Sequence, residues 1–278
     1  MDQRPNRSVE SGAAIGHMAA MRRLFILSAI SFLSVNAAGA ASSPWSETTG
    51  GALRIVTTGA PDAQGKLKGA LQIILKPGWK TYWRDPGAAG VPPMLDLGDA
   101  GAAEMQYPAP EWHNDGQFDW AGYSSSISLP LTLTLNRSGP IKATAFIGLC
   151  ENICVPFQAA LSLDPAKGAS DPADAAEVAR AVELLPAAAA ENFGVKFRSA
   201  SQKELKLDAS IPSSGAAELF VAGASGYQFG KPILTNKEGR PVFTVKIITR
   251  PGTKPDGGGF SYTLVTPTGS VNGLIPYF

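Results

Sequence analysis

Short runs of alternating apolar and polar residues dominate the chain between residues 46 and 165. Two such runs are Leu67–Leu75, which Pro77 ends, and Ile141–Leu149. Alternation with a period of two is typical of strands that have one buried face. Because Gly, Pro, Asn and Asp separate the runs and no helical pattern lies between them, we predict that 46–165 forms an antiparallel β-sandwich domain.

The pattern changes to a helical period within residues 166–193, where alanine dominates. Asp171 and Pro172 are typical of a helix start, with an acidic N-cap and proline at the first helical position. Pro186 ends the pattern. We predict a short linker helix in this segment.

Strand patterns return from residue 194 to residue 278. Val242–Ile248 and Phe260–Val265 are examples. This segment is a little shorter than the ~100 residues of a typical immunoglobulin-like sandwich. The predicted fold class is therefore all-β, with two immunoglobulin-like β-sandwich domains joined by a short helix.

The longest apolar run, Leu24–Val35, is preceded by Arg22 and Arg23 and followed by small residues up to Ala40. A positive start, a 12-residue apolar run and a small-residue cleavage site are typical of a secretory signal peptide. The run is shorter than the ~18 residues expected of a membrane span. We assign 1–40 to an N-terminal extension and signal peptide, and expect a mature protein that lies outside the cytoplasm without stable membrane insertion after cleavage.

The charge balance argues against nucleic acid as a partner. The chain has 24 basic and 23 acidic residues, and no cluster of Lys and Arg. Cleavage after Ala40 would leave 20 basic and 21 acidic residues, so the net charge would be −1. Proteins that bind nucleic acids or anionic membrane surfaces usually concentrate positive charge.

The two cysteines, Cys150 and Cys154, are separated by three residues. A three-residue loop between two strands would place them opposite each other, at roughly the separation that a disulfide requires. The bridge would close a very short loop, so it would remove little entropy from the unfolded chain. Export to an oxidising compartment permits the bridge to form.

Three interpretations of the pair stay open: a redox-active pair, a structural staple across a hairpin, and a metal site. Two thiolates need further ligands to hold a metal, and the mature chain has a single histidine, His113. Met105 is a remote candidate for copper and is better explained as a core residue. We predict no cofactor and no metal.

The charges near the pair disfavour the thiolate form. Glu151 follows Cys150 directly, and the loop contains no Lys or Arg. We therefore expect the pair to react slowly with small oxidants until a partner protein activates it.

Aromatic residues are concentrated in two segments. In Pro77–Gly87, three aromatic residues lie within five positions. They could form a recognition surface or a plug at one end of the sandwich, and we favour the plug. In the second segment, Phe118, Trp120 and Tyr123 are aromatics of an exposed loop that could cover another feature.

Four motifs taken together resemble a known family. These motifs are Pro77–Gly87, Gly90–Pro93, Tyr107–Pro110 and Leu149–Pro156. They are similar to the N-terminal periplasmic domain of the DsbD/ScsB thiol:disulfide interchange proteins, and the similarity covers roughly residues 46–165.

The resemblance implies an immunoglobulin-like sandwich with one redox-active cysteine pair, which loop aromatics cap until a partner docks. It implies that Cys154 forms the mixed disulfide and that Cys150 resolves it. Phe118, Trp120 and Tyr123 are candidates for the cap by position and residue type. In ScsB-like members a second β domain follows the first, as predicted here.

The resemblance also names the partners: a membrane electron transporter and periplasmic thioredoxin-like proteins. The predicted function is periplasmic thiol–disulfide interchange, an electron relay of the protein-disulfide reductase type that uses one CxxxC pair. Two alternatives stay open. One is a non-catalytic binding or adaptor module with a structural disulfide, and the other is a copper-handling protein.

Overall fold

The structure, a computed structural model, describes residues 41–87, 90–114, 116–165, 171–212, 216–223, 226–237, 239–253, 255 and 258–278. The predicted signal peptide, 1–40, lies outside the described residues. Within them, no helix is long and apolar enough to span a membrane.

Among the described residues up to 165, the chain forms eleven strands and a short 3₁₀ helix, Gly98–Ala100. The strands are β1 Ser46–Thr48, β2 Gly51–Thr57, β3 Lys66–Leu75, β4 Lys80–Tyr82, β5 Met94–Asp96, β6 Gly101–Met105, β7 Glu111–Asn114, β8 Asp119–Tyr123, β9 Ile127–Leu135, β10 Ile141–Cys150 and β11 Cys154–Leu163.

These strands form two antiparallel sheets that enclose one core, which we call the first sandwich. One sheet has the order β1-β2-β3-β9-β6 and the other β11-β10-β4-β8-β7, with β5 on β10. Alternate residues face inward, such as Leu53 and Leu71 from one sheet and Ala145 and Ile147 from the other. The alternation read from the sequence therefore corresponds to the buried faces of these strands.

A helix, α1 Pro172–Glu183, packs on the outer face of the first sheet. The Asp171 side chain accepts a hydrogen bond from the backbone N–H of Ala173, as expected of an N-cap. Val178 and Ala181 form a small buried cluster with two residues of that sheet. The helix predicted from the sequence is thus confirmed, and it is attached to the first sandwich.

In the described part of the chain after the helix there are nine strands. They are β12 Ala187–Ala188, β13 Gly194–Ala200, β14 Glu204–Ser210, β15 Glu218–Val221, β16 Gln228–Phe229, β17 Ile233–Lys237, β18 Arg240–Thr249, β19 Gly259–Thr266 and β20 Gly269–Pro276.

These nine strands build a second sandwich. One sheet has the order β12-β20-β19-β15, and the other β13-β14-β18-β16, with β17 on β18. Leu205, Phe243, Phe260 and Leu264 are among the residues of the shared core. The predicted fold class, two immunoglobulin-like β-sandwiches and a short helix, is confirmed. Strand pairing begins at Ala187, inside the stretch that we assigned to the linker, because β12 pairs in parallel with β20.

The two sandwiches meet at a buried contact. Phe220 of β15 belongs to the core of the first sandwich, where its ring stacks on Trp112 at 4.9 Å and meets Trp83 edge-on at 5.9 Å. The Trp112 indole N–H donates to the carbonyl oxygen of Leu219 at 3.3 Å. The Asp85 carboxylate also accepts a hydrogen bond from the backbone N–H of Gly223. The second sandwich thus covers one end of the first.

Candidate redox site

Cys150 and Cys154 form a disulfide between the last residue of β10 and the first residue of β11. The two residues are directly paired across the hairpin, and their Cα atoms lie 4.2 Å apart. The hairpin and its pairing follow from the alternation on both sides of the Glu151–Ile153 loop. The predicted opposition of the two cysteines is present in the structure.

The two sulfur-bearing residues differ in access to solvent. Cys150 is buried, with 6% of its surface exposed, whereas Cys154 is exposed. The intervening loop is also exposed, and Ile153 has 73% of its surface in solvent. An incoming thiol can therefore reach Cys154 much more easily than Cys150, because access is one determinant of thiol–disulfide exchange.

Strand register determines which side chains accompany the disulfide on the outer face of its sheet. Cys150 pairs with Lys80 of β4, and Tyr82 of β4 pairs with Gly122 of β8. Directly opposed residues lie on the same face, and so do residues two positions apart on one strand. Lys80, Tyr82 and Trp120 therefore share the outer face with both cysteines.

The Tyr82 hydroxyl contacts both sulfur atoms. Its oxygen lies 2.7 Å from Cys154 Sγ and 2.9 Å from Cys150 Sγ. A sulfur atom in a disulfide carries no hydrogen, so the phenol is the donor to the sulfurs. Tyr82 is buried despite facing outward, because Trp120 and the cysteines surround its ring.

Two glycines make room for the aromatic rings on this face. A Cβ atom at Gly148 would lie 2.6 Å from Cδ2 of Tyr82, and one at Gly122 would lie 2.6 Å from Cζ3 of Trp120. The Trp120 ring meets the Tyr82 ring edge-on at 5.1 Å. The outer face is thus free of side chains where the rings lie against it.

The three cap candidates are found in three different environments. Trp120 is buried in a cluster with Tyr82 and Cys150. Tyr123 faces the core of the first sandwich, where its hydroxyl donates to the carbonyl oxygen of Pro108 at 2.9 Å. Phe118 lies just before β8 and has 47% of its surface exposed. Of the three, Trp120 is the residue that the structure brings into the cluster around the disulfide.

Sequence reasoning did not single out Tyr82, which we grouped with Trp79 and Trp83 as a plug. Trp83 is a core residue, 1% exposed. Successive residues of a strand face opposite ways, so Tyr82 and Trp83 could not both fill the core. That alternation is the signal in the sequence that identifies Tyr82.

Charged and titratable groups surround the site. Lys80 and Glu151 line the same cavity of about 340 Å³ as the disulfide, and the Lys80 ammonium lies 5.8 Å from the centre of the Trp120 ring. The ring of His113 on β7 stacks on Trp120 at 4.3 Å. Burial lowers the pKa of His113, the charge of Lys80 lowers it further, and Glu111 opposes both effects.

The copper candidate lies elsewhere. Met105 of β6 is partly buried against the core of the first sandwich. Among the described residues, no group of three or more His, Cys, Asp and Glu side chains is arranged to hold a metal ion.

Comparison with known protein families bears directly on this site. Residues 55–165 match the family model described as thiol:disulfide interchange protein DsbD, N-terminal. Over these residues the chain is similar to the DsbD N-terminal domain. The segment contains both cysteines, Lys80, Tyr82 and Trp120, so the DsbD-like domain includes the whole outer-face cluster. The resemblance that the four motifs indicated is confirmed.

The fold is also similar to a solved structure over most of the chain. The N-terminal periplasmic domain of ScsB from Proteus mirabilis matches with a TM-score of 0.71 at 23% sequence identity. The match covers 86% of this chain and 100% of that one, so the shared fold extends beyond the DsbD-like segment. Among curated proteins, no sequence matches this chain.

Proposed function

We propose that this chain is a periplasmic electron relay that exchanges its Cys150–Cys154 disulfide with the thiols of partner proteins. The observation that supports this proposal best is the asymmetry of the pair. An exposed sulfur is bonded to a buried one, and one phenol donates to both. The match of residues 55–165 to the N-terminal domain of a thiol:disulfide interchange protein also supports this chemistry.

The exchange proceeds by direct attack of a thiolate on sulfur and needs no cofactor. A partner thiolate attacks Cys154 Sγ, the bond to Cys150 breaks, and the electron pair remains on Cys150 Sγ. A second partner thiolate then attacks the partner sulfur of the mixed disulfide, and the electron pair goes to Cys154. The partner loses two electrons, and this chain becomes a dithiol after binding two protons.

In the opposite direction, the Cys154 thiolate attacks a partner disulfide and Cys150 resolves the mixed disulfide. We propose that a membrane electron transporter reduces the pair and that thioredoxin-like proteins of the periplasm receive the electrons. We also propose a division into a redox domain, 46–165, a linker, 166–193, and a second domain, 194–278, which the separate cores of the two sandwiches support.

The reduction potential of the pair separates a relay from a structural staple. We expect a value above about −300 mV, since structural disulfides lie below that level. The measurement is equilibration of the full chain, without residues 1–40, in a dithiothreitol or glutathione series. A potential below that level would favour the adaptor with a structural disulfide and contradict the relay.

Trapping tests the roles of the two sulfurs. We expect Cys150→Ser, which leaves Cys154 free, to form a stable mixed disulfide with a purified thioredoxin-like protein that lacks its own resolving cysteine and whose remaining cysteine is activated as a mixed disulfide with thionitrobenzoate. The Cys154 thiolate attacks the protein sulfur, and thionitrobenzoate leaves with the electron pair. The matched variant Cys154→Ser should form far less, because Cys150 is buried. Equal yields from the two variants would contradict the assigned order of attack.

A further inference from the structure

When a partner thiolate attacks Cys154 and the disulfide breaks, the thiolate that is released is on the buried residue Cys150. Cys150 has 6% of its surface exposed, so water solvates little of the new charge. Burial in an apolar environment disfavours a charged group unless an opposite charge or a hydrogen bond compensates. The Tyr82 hydroxyl, 2.9 Å away, supplies a hydrogen bond but no charge.

Lys80 is positioned to supply the charge. Its Cα atom is the ladder partner of Cys150 on the neighbouring strand β4. Opposed residues of an antiparallel pair have Cβ atoms roughly 4.5–5.5 Å apart and extend from the same face. Lys80 also lines the cavity that contains both cysteines. Within the part of the chain that the structure describes, Lys80 forms no ion pair.

Other charged groups near Cys150 are few, and they differ in sign. Glu151 follows it in the loop and lines the same cavity, so its carboxylate opposes Lys80. His113 and Glu111 lie on β7, which β4 and β8 separate from β10 in the sheet. Of these groups, Lys80 is the cation on the strand that pairs directly with Cys150.

We propose that Lys80 is the electrostatic residue that stabilises the Cys150 thiolate and thereby directs incoming thiols to Cys154. This inference rests on the proposed exchange function and deepens it. When a partner thiolate bonds to Cys154 Sγ and the disulfide breaks, the electron pair goes to the sulfur of Cys150, the residue that is paired with Lys80. Attack on Cys150 would instead place that pair on Cys154, which lies on the edge strand β11 and has Cys150 itself as its ladder partner.

The pKa of the Cys150 thiol tests this inference in a Cys154→Ser background. The rate of alkylation by iodoacetamide is measured against pH. Lys80→Met keeps the aliphatic stem and removes the charge, and we expect it to raise the pKa by about half a unit to one unit, since the site is partly solvated. Lys80→Arg should retain the pKa of the parent protein.

Lys142→Met is the matched control. Lys142 lies on the same strand and the same face, eight residues from Cys150 and thus roughly 26 Å away, beyond the reach of screened charges. We expect no change in the pKa of Cys150. Equal pKa values in the Lys80→Met and Lys142→Met variants, or failure of Lys80→Arg to retain the value, would overturn the inference.

A second measurement uses the native disulfide, in case Cys154→Ser perturbs the fold. Reduction of the Lys80→Met chain by dithiothreitol should be about 3 to 10 times slower, because a leaving thiolate of higher pKa leaves more slowly. An unchanged rate would also overturn the role of Lys80. The relay itself could still hold in that case, because its tests are the potential and the trapping yield of the chain with Lys80 intact.

Discussion

At the scale of single residues, Tyr82 is the group that the two sulfur atoms share. Its hydroxyl donates to the closed disulfide at 2.7 and 2.9 Å, and it remains within reach of either sulfur once the bond opens. A hydrogen bond to an ionised acceptor is about twice as strong as one to a neutral acceptor. Tyr82 therefore stabilises the opened, thiolate-bearing state more than the closed one.

Tyr82→Phe should slow exchange by about tenfold, because hydrogen bonds to charged groups contribute about 1.5–3 kcal/mol. The measurement is the rate of reduction by dithiothreitol. Tyr123→Phe is the matched control, since it removes a hydroxyl that donates to Pro108 on the opposite face of the sheet. If the two variants react at the same rate, the Tyr82 hydroxyl has no part in exchange.

A second residue-scale prediction concerns pH. Burial raises the pKa of Tyr107 to about 12, although the nearby Arg84 cation lowers it in part. The unfolded chain releases this proton near pH 10 while the folded chain retains it, so ionisation favours unfolding in that interval. The contribution of Tyr107 to stability is complete below about pH 10 and is lost as the pH rises toward about 12.

Urea denaturation of the parent chain and Tyr107→Phe at several alkaline pH values measures this effect. The free energy of unfolding of the parent should fall more steeply between about pH 10 and 12 than that of the variant, since only the parent has the raised pKa at this position. Parallel pH profiles would show that Tyr107 titrates normally in the folded chain.

At the level of helices and strands, the sequence predicted those features that depend on residues close together in the chain. The β10–β11 hairpin brings Cys150 opposite Cys154, and α1 begins after its predicted N-cap, because alternation and capping act over a few residues. The partner across β4 was not predictable in this way. Lys80 and Tyr82 are distant from the cysteines in sequence, and alternation within β4 shows which residues share a face but not which strand β4 pairs with.

The cap candidates illustrate the same limit. Trp120 and Tyr123 both lie on β8. They face opposite sides of the sheet because they are three positions apart, and side chains of a strand alternate between its two faces. Composition identified both aromatics but could not identify the outward one without the position of the strand in its sheet. The structure gives that position: β8 pairs with β7, with His113 opposite Trp120.

Gly148→Ala tests whether β10 must lack a side chain at the position where the Tyr82 ring packs against it. The added methyl group would lie 2.6 Å from Cδ2 of Tyr82, so the ring must shift away from the sulfurs. We expect a loss of about 1–3 kcal/mol in the free energy of unfolding, as for other overpacked sites, together with slower reduction by dithiothreitol. Gly252→Ala is the control, since no atom lies within 4 Å of an added Cβ there. Unchanged exchange in Gly148→Ala would show that ring position is not critical.

At the scale of the whole molecule, the two sandwiches are joined by a side chain of one in the core of the other. Phe220 belongs to a strand of the second sandwich, but it is fully buried among core residues of the first. It stacks on Trp112, whose neighbour His113 stacks on Trp120 at the redox site. We therefore expect the second sandwich to stabilise the first, including the β7–β8 hairpin that carries Trp120.

Phe220→Ala should destabilise the first sandwich by about 3–5 kcal/mol, the usual cost of removing a buried phenylalanine ring. The five tryptophans all lie between residues 45 and 120, so tryptophan fluorescence during urea denaturation reports on the first sandwich. Phe243→Ala is the matched control, because Phe243 is equally buried but belongs to the core of the second sandwich. If Phe220 supports the first sandwich directly, the fluorescence midpoint should fall at least as far for Phe220→Ala as for Phe243→Ala. A smaller fall for Phe220→Ala would mean that the first sandwich holds its core without this ring.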